Sequence, residues 1–516
     1  MRRVLSILII LSLCVPGLIA AGVGCSKSDS KLHEKTDFTP PRANIAVSGD
    51  LVTGGVVRLD GRGSADDRGF WDTGIREWRW DVYGDDVADG TGPVLDWTWD
   101  RPGTYMVNLV VTDWGGVASP AESVMVTIGP SDTQWPGVGR DFHHTGFVDS
   151  ALTVSDNSTV WVSDNVGFYQ GTTLAVAASM VFVTCNNGSW SGITALQLGS
   201  GDVVWQAALD NIGYWESRAS CAYHDGCLYV ATYTNLVKLD AATGTMLDIY
   251  DFEELLVNSD LMIAEGKVFL GSFEFMGNGF FAAVDASDFT LLWKKEYPGL
   301  NCNAVPAYDA GVLYVGTAPS FGSPENAAMM ALDAETGDEI WKKDSPNGFS
   351  YYAPMTVHGD FVYGATFSFN EGDNTTVTKR NKTDGTLEWV RGCGSASSPP
   401  AVTDDLVVIA GGSHGPTDGR TTCYDLDGNS EWDEPGTGSW TCQPVVFGSC
   451  VFTSDFYYDS INWVGWNTTF HCLDIASGTK LWSHDGCGGS PSVVVVGGAV
   501  YIIVGSHDGQ IYCFGG

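Results

Sequence analysis

The sequence predicts an all-β chain of at least two domains, a small sandwich followed by a ring of repeated four-stranded sheets. Three observations carry this. The chain has 64 glycines and only 17% charged residues, which suits many tight turns and few amphipathic helices. Short stretches alternate apolar and polar residues, as half-buried strands do. From Trp135 onward the chain repeats itself every roughly 43–50 residues, the period of a propeller or an array. At 516 residues it is also too long for one ordinary core.

The N-terminus reads as an export signal: Arg2 and Arg3, the apolar run Val4–Leu13, then Pro16 and Gly17, which interrupt any membrane span. Gly22-Val23-Gly24-Cys25, followed by Ser26–Ser30, resembles a bacterial lipoprotein cleavage box, with Gly22 where that family usually has Leu. The resemblance implies loss of residues 1–24 and acylation of Cys25. It implies an exported protein, lipid-anchored in the cell envelope and facing the periplasm or the outside. Ordinary cleavage nearby, leaving Cys25 an incidental thiol, is the competing reading. Residues 25–40 then form a polar tether.

Setting Cys14 and Cys25 aside leaves eleven of the thirteen cysteines, an odd number. Cys221 and Cys227 flank His224-Asp225-Gly226 and are expected to face each other across a hairpin. No C-x-x-C pair or paired zinc spacing is present, so neither metal nor redox use is expected. Net charge is −36, which repels phosphate backbones and excludes a nucleic-acid partner. Many of the acids sit in D-x-x-[TS]-G turns and read as solvated turn residues.

Residues 41–129 are the sandwich. Val56–Leu59, Ile75–Trp80 and Tyr105–Val111 alternate between turns. Three ordered motifs, Leu59–Asp66, Trp78-Arg79-Trp80-Asp81, and Pro102–Tyr105 through Thr112-Asp113, resemble a PKD domain. That resemblance implies an immunoglobulin-like spacer or adhesion module. The loop Asp81-Val82-Tyr83-Gly84-Asp85-Asp86 is similar to the Asp-rich loop of some PKD variants. Calcium needs six or more oxygens, and Tyr83 stands where another carboxylate would help. A solvated turn is the expected role.

Residues 130–516 are the ring. Its best-defined unit is Ala331-Leu332-Asp333-Ala334-Glu335-Thr336-Gly337 ending in Trp341, with relatives at Lys238–Gly244 and Cys472–Gly478. Each unit supplies an apolar hairpin, a third strand ending in Leu-Asp, and a Thr-Gly turn into a fourth strand marked by Trp. Asp and Thr can bond turn backbone groups, and Gly takes the positive φ. The marks are Trp161, Trp205, Asp248 in the Trp position, Trp293, Trp341, Trp389, Trp432 and Trp482. After Trp482 three strands lack a fourth, and Thr159–Val162 is a fourth lacking its first three. Their pairing predicts an eight-bladed β-propeller closed by its N- and C-terminal strands, with two sheet edges removed. Cys423, Cys472 and Cys513 take the place of Ala195, Ala283 and Ala331 and read as small buried residues. Asp425–Asn429, superficially a calcium loop, is by register a shortened turn of the sixth unit.

These units resemble the PQQ-like propeller repeat, and Trp135-Pro136 through Asp141 with His144-Thr145-Gly146 resembles that family's lead-in segment. The family includes quinone-dependent alcohol dehydrogenases and non-enzymatic lipoproteins of the BamB-like type. The enzymatic branch implies pyrroloquinoline quinone (PQQ) in the ring centre, calcium, a catalytic Asp and commonly two adjacent cysteines, and this chain has no adjacent cysteines. No Ser/His/Asp or Cys/His set is legible, so catalytic, cofactor and metal residues are all expected to be absent. The expectation is a monomeric, non-catalytic scaffold for a protein or polysaccharide partner. Ser320–Ala327 and the aromatic loop holding Tyr457, Tyr458, Trp463 and Trp466 are its candidate binding loops.

Overall fold

A computed structural model describes residues 40–515 except 50, 52–55, 67–73, 100–102, 129–132, 155, 169–171, 210–219, 255, 257–259, 274–276, 369, 371–373, 414–417 and 460–463. Cys25, the export signal, the tether and Trp463 therefore lie outside the described residues. Every regular element among the described residues is a β-strand.

In the small domain a three-stranded sheet, Ala46–Gly49, Val57–Asp60 and Val94–Trp97, faces a four-stranded one. The second sheet holds Gly90–Thr91, Ile75–Asp81, Gly103–Asp113 and Glu122–Ile128. Alternation puts Val57, Leu59, Trp80, Val107, Leu109 and Val111 into one core, each with no exposed surface. Buried indoles need acceptors: Trp80 Nε1 donates to the Gly92 carbonyl at 2.9 Å, and Trp78 Nε1 donates to Gly61 at 3.0 Å. The Asp81 carboxylate is spent on its own loop, accepting the Gly84 N–H at 2.6 Å, the Asp86 N–H at 3.0 Å and Asn108 Nδ2 at 3.1 Å. Those donors hold the Asp81 acid below the usual carboxylate range against the opposing pull of burial.

The large domain is a β-propeller. One blade shows the plan: Ala307–Asp309, Val312–Gly316, Ala328–Asp333 and Glu339–Asp344 pair antiparallel in that order. Eight such four-strand units are described. We number them 1 to 8 by their fourth strands: Val203–Ala208, Met246–Asp251, Leu291–Tyr297, Glu339–Asp344, Leu387–Gly392, Ser430–Pro435, Lys480–Asp485 and Thr159–Val162. Blade 7 gains a fifth strand, Phe147–Val148, parallel to Val445–Phe447. Blade 8 takes Ser492–Val496, Ala499–Gly505 and Ile511–Gly515 from the C-terminus. Its fourth strand, Thr159–Val162, comes from far upstream and places Trp161 opposite Cys513. Among the described residues no sheet curls into a barrel; the blades pack face to face.

Apolar clusters fill the gaps between consecutive blades. One joins blades 1 and 2 through Phe182, Leu228 and Leu239, and another joins 2 and 3 through Leu236, Phe280 and Phe289. A third cluster reaches from blade 7 through blade 8 to blade 1, with Phe470, Phe514 and Val183 among its members. The residue facing the Trp across the third and fourth strands is small or a thiol in every blade that has one except blade 5, where Trp389 faces Lys379. Ala195, Ala283 and Ala331 hold this place in three blades, and Cys423, Cys472 and Cys513 in others, every one without exposed surface. The hairpin expectation for cysteine is corrected. Cys227 faces His224, and Cys221 lies before the strand Ala222–His224, so strand register keeps the two thiols apart and both are free.

Candidate functional site

Each repeat Trp docks one blade onto the next. Trp293 lies flat against Gly337 of blade 4 and donates Nε1–H to the Ala334 carbonyl at 3.0 Å. Trp161 bonds Leu198, Trp205 bonds Ala241, Trp341 bonds Lys382, Trp389 bonds Leu426 and Trp432 bonds Ile475, all at 2.7–3.1 Å. The receiving glycine must be a glycine for two reasons. Gly337 has φ of +71°, and a Cβ there would sit 2.6 Å from the Trp293 ring. The turn itself is tied by Asp333, whose Oδ1 accepts the Thr336 N–H at 2.8 Å and its hydroxyl at 3.0 Å.

Two joints depart from this rule. In blade 2 Asp248 replaces Trp, and the receiving turn of blade 3 carries Phe289, with φ of +61°, where others have Gly. Phe289 fills the room an indole would take, packing 6.1 Å from Tyr229. Lys238 Nζ, at 2.6 Å, and the Tyr229 hydroxyl, at 3.1 Å, donate instead to the Ala286 carbonyl. The blade 7 joint differs otherwise: the buried Trp482 Nε1 has no partner among the described residues. Its receiving turn lies where the chain's two ends meet, and the matching position is residue 516, outside the described residues.

The first strands of the blades are joined through a single segment of the chain. Residues 133–148 run past the first strand of every blade. Trp135 exchanges hydrogen bonds with Val176 of blade 1 at 2.7 and 2.8 Å, and Thr133 N–H donates to Val495 of blade 8 at 2.7 Å. Backbone N–H groups of Tyr223, Tyr308, Val357, Val402 and Val446 donate to carbonyls of Pro136, Phe142, His143, Thr145 and Gly146. These five belong to blades 2, 4, 5, 6 and 7, and Val138 packs beside Met262 and Ala264 of blade 3. Asp141 ties the segment's turn, accepting the His143 and Thr145 N–H groups at 3.1 and 3.0 Å. Arg140 and His144 both adopt positive φ, a strain on the order of 1–3 kcal/mol each that the surrounding bonds must hold.

The titratable groups of this segment are committed to structure. His144 is buried, its Nδ1–H donates to the Met355 carbonyl at 3.0 Å, and burial pushes its pKa down to about 4. Its proton is therefore bound more readily by the unfolded chain, near pH 6.5, than by the folded one. Stability present above pH 6.5 is lost as pH falls toward 4, by about 2–3 kcal/mol at pH 4.5 from this group. Chemical denaturation at pH 7 and 4.5 should show that loss, and His144→Asn should reduce it. His143 Nε2 and Lys382 Nζ share the Asp309 carboxylate at 3.3 and 2.8 Å, which helps hold that acid below its ordinary value against desolvation.

A quinone–calcium centre would need converging carboxylates. No group of three or more His, Cys, Asp or Glu side chains that could hold a metal ion is present among the described residues. The acids in and beside this segment are already engaged, Asp141 by the His143 and Thr145 N–H groups and Asp309 by His143 and Lys382, and we derive no step through such a centre.

The face carrying the connections between second and third strands holds both candidate binding loops. In blade 4 Phe321 stands 72% exposed at the tip of Ser320–Ala327. In blade 7 Tyr457 and Trp466 sit in paired strands with ring centroids 4.9 Å apart, and Trp466 lies 5.1 Å from His507 of blade 8. Tyr458 is in the same strand, with its side chain outside the described residues. The sequence singled out neither His507 nor Trp440. Both follow from topology, because the connections of successive blades converge on one face.

A family model described as outer membrane protein assembly factor BamB matches residues 189–320 and 278–515, and one described as PKD domain matches 39–128. Among solved structures, quinohemoprotein alcohol dehydrogenase from Comamonas testosteroni is 16% identical, with 74% of this chain and 80% of that one covered at a TM-score of 0.58. A europium-containing methanol dehydrogenase is 14% identical, with 72% and 89% covered at 0.58. BamB from Moraxella catarrhalis is 18% identical, with 69% and 97% covered at 0.51. At such identities the likeness is one of fold. No curated protein matches the chain.

Proposed function

The chain belongs to the family of the outer membrane protein assembly factor BamB, and from that premise we propose that it is a non-catalytic binding scaffold of the cell envelope. In this reading residues 1–24 are cleaved, Cys25 carries the lipid and 25–40 is the tether. The PKD-like domain, 41–129, holds a monomeric propeller, 130–516, off the membrane. The eight blades form one closed ring, a reading supported by the cluster shared between blades 7, 8 and 1 and by the segment that bonds along their first strands. The partner is a protein or a polysaccharide taken up by the loops of Ser320–Ala327 and Tyr457–Trp466.

The observation that carries this reading is the segment bonded along the first strands of the blades. Residues 133–148 are bonded by backbone to blade after blade, and the acids beside them, Asp141 and Asp309, are already taken up by His143, Thr145 and Lys382. The mature domains used as bait in envelope extracts should retain a partner that a chain with Tyr457 and Trp466 changed to Ala does not. Adding PQQ with calcium should give neither saturable binding nor alcohol oxidation. Finding both would replace the scaffold by a dehydrogenase. Mass spectrometry of the mature N-terminus should show an acylated Cys25, and a free, unmodified Cys25 ends the lipid assignment.

A further inference from the structure

Ring contacts on the loop-bearing face run on from blade 5 to blade 8. Tyr352 meets Phe367 at 5.8 Å, Phe367 meets Trp440 at 5.0 Å, and Trp440 meets Phe456 at 5.9 Å. The next residue, Tyr457, starts the second run, through Trp466 to His507. Phe367 and Phe456 are buried and act as footings. Tyr352, Trp440 and Trp466 are half-buried, while Tyr457 and His507 are exposed. The accessible rings are therefore strung across successive blades, a spacing that suits an extended chain.

Charge around this surface is one-sided. Asp404, Asp405, Asp425, Asp427 and Asp474 lie in turns of the opposite face, but Asp455, Asp485 and Asp508 lie on strands and connections at this one, and the basic residues of the sequence from 401 onward are Arg420 and Lys480 alone. Arg420 is already paired with Asp433 at 2.7 Å. Asp455 is held in place by the Thr468 hydroxyl at 2.6 Å and the Thr469 N–H at 2.8 Å. Asp485 is exposed and accepts the hydroxyl of the same Thr469 at 3.1 Å, and the exposed Asp508 follows His507, whose ring lies 5.1 Å from Trp466. Aromatic faces beside uncompensated carboxylates favour cations, through ring quadrupoles and through Coulomb attraction together.

We propose that this arc docks an extended, lysine- or arginine-bearing segment of a partner protein. The proposal rests on the scaffold reading and names its partner chemistry. Apolar side chains of the segment pack on Trp440, Tyr457 and Trp466, and its cations face Asp485 and Asp508.

The test is binding of a labelled dodecapeptide of alternating lysine and valine to the full mature chain, followed by fluorescence anisotropy. A glutamate/valine peptide and cellohexaose are the comparison probes. The lysine peptide should bind, and its affinity should fall at least tenfold in Trp466→Ala and severalfold in Asp508→Asn and on raising salt. Leu247→Ala, on the outer rim, should leave it unchanged. Asp508 is exposed, so its variant keeps the test valid even if Trp466→Ala unfolds. No binding of the lysine peptide, equal binding of the glutamate peptide, or displacement by cellohexaose overturns the proposal. If the bait still retains a partner from envelope extracts after such a result, the docking chemistry fails and the scaffold reading stands.

Discussion

Deleting residues 511–516 should abolish cooperative folding of the propeller, not merely loosen its end. Ile511–Gly515 is the third strand of blade 8, so its loss strips partners from both Ala499–Gly505 and Thr159–Val162. Two unpaired edges then open in one place, each a template for aggregation. Ile511, Cys513 and Phe514 are without exposed surface, and a fully buried Ile or Phe contributes about 1.5–3 kcal/mol each. The single change Phe514→Ala isolates part of this. Its ring stacks on Phe470 of blade 7 at 5.8 Å, so truncation empties the gap between two blades. The expected cost is about 3–5 kcal/mol, a large share of the 5–15 kcal/mol typical of a folded domain. Guanidinium unfolding of the purified variants measures it. Unchanged stability after the deletion would falsify the closed ring, because an open stack of blades can lose its last strand cheaply.

What the sequence made legible was whatever repeats. Leu-Asp-x-x-Thr-Gly and Trp recur because each blade needs the same turn and the same dock, so Trp205, Trp293, Trp341, Trp389 and Trp432 could be read by register. Thr159–Val162 could be matched to the C-terminus because an odd fourth strand at one end answered three strands at the other. The site was less legible because it does not repeat. Residues 133–148 appeared only as a lead-in, although their backbone bonds to blade after blade, and a backbone bond leaves no mark in side-chain type. The arc from Tyr352 to His507 joins residues far apart in the chain, and only the convergence of loops on one face brings them together. Blade 2 had a signal that could have been used: Asp248 in place of Trp and Phe289 in place of Gly change together, with Lys238 opposite Asp248.

That exchange yields the sharpest expected energies. Gly337→Ala should cost about 2–5 kcal/mol, from a positive φ that Ala resists and from a Cβ driven into Trp293. The same change at Gly311, which has φ of +87° but open space around its missing Cβ, should cost only the backbone share. At the irregular joint the logic reverses. Phe289→Gly alone empties a packed site between blades 2 and 3, at about 3–5 kcal/mol. Asp248→Trp alone forces an indole toward the ring of Phe289 and should also destabilise. Made together, the two restore the arrangement of the other blades, with the new indole able to reach the Ala286 carbonyl once Lys238 yields it. The double variant should therefore be more stable than the sum of the single losses predicts, by about 0.5–3 kcal/mol. A cycle measured by chemical denaturation reads this coupling directly. Strict additivity would mean that Phe289 does not stand in for the missing indole, and that blade 2 is held to blade 3 by Lys238 and Tyr229 alone.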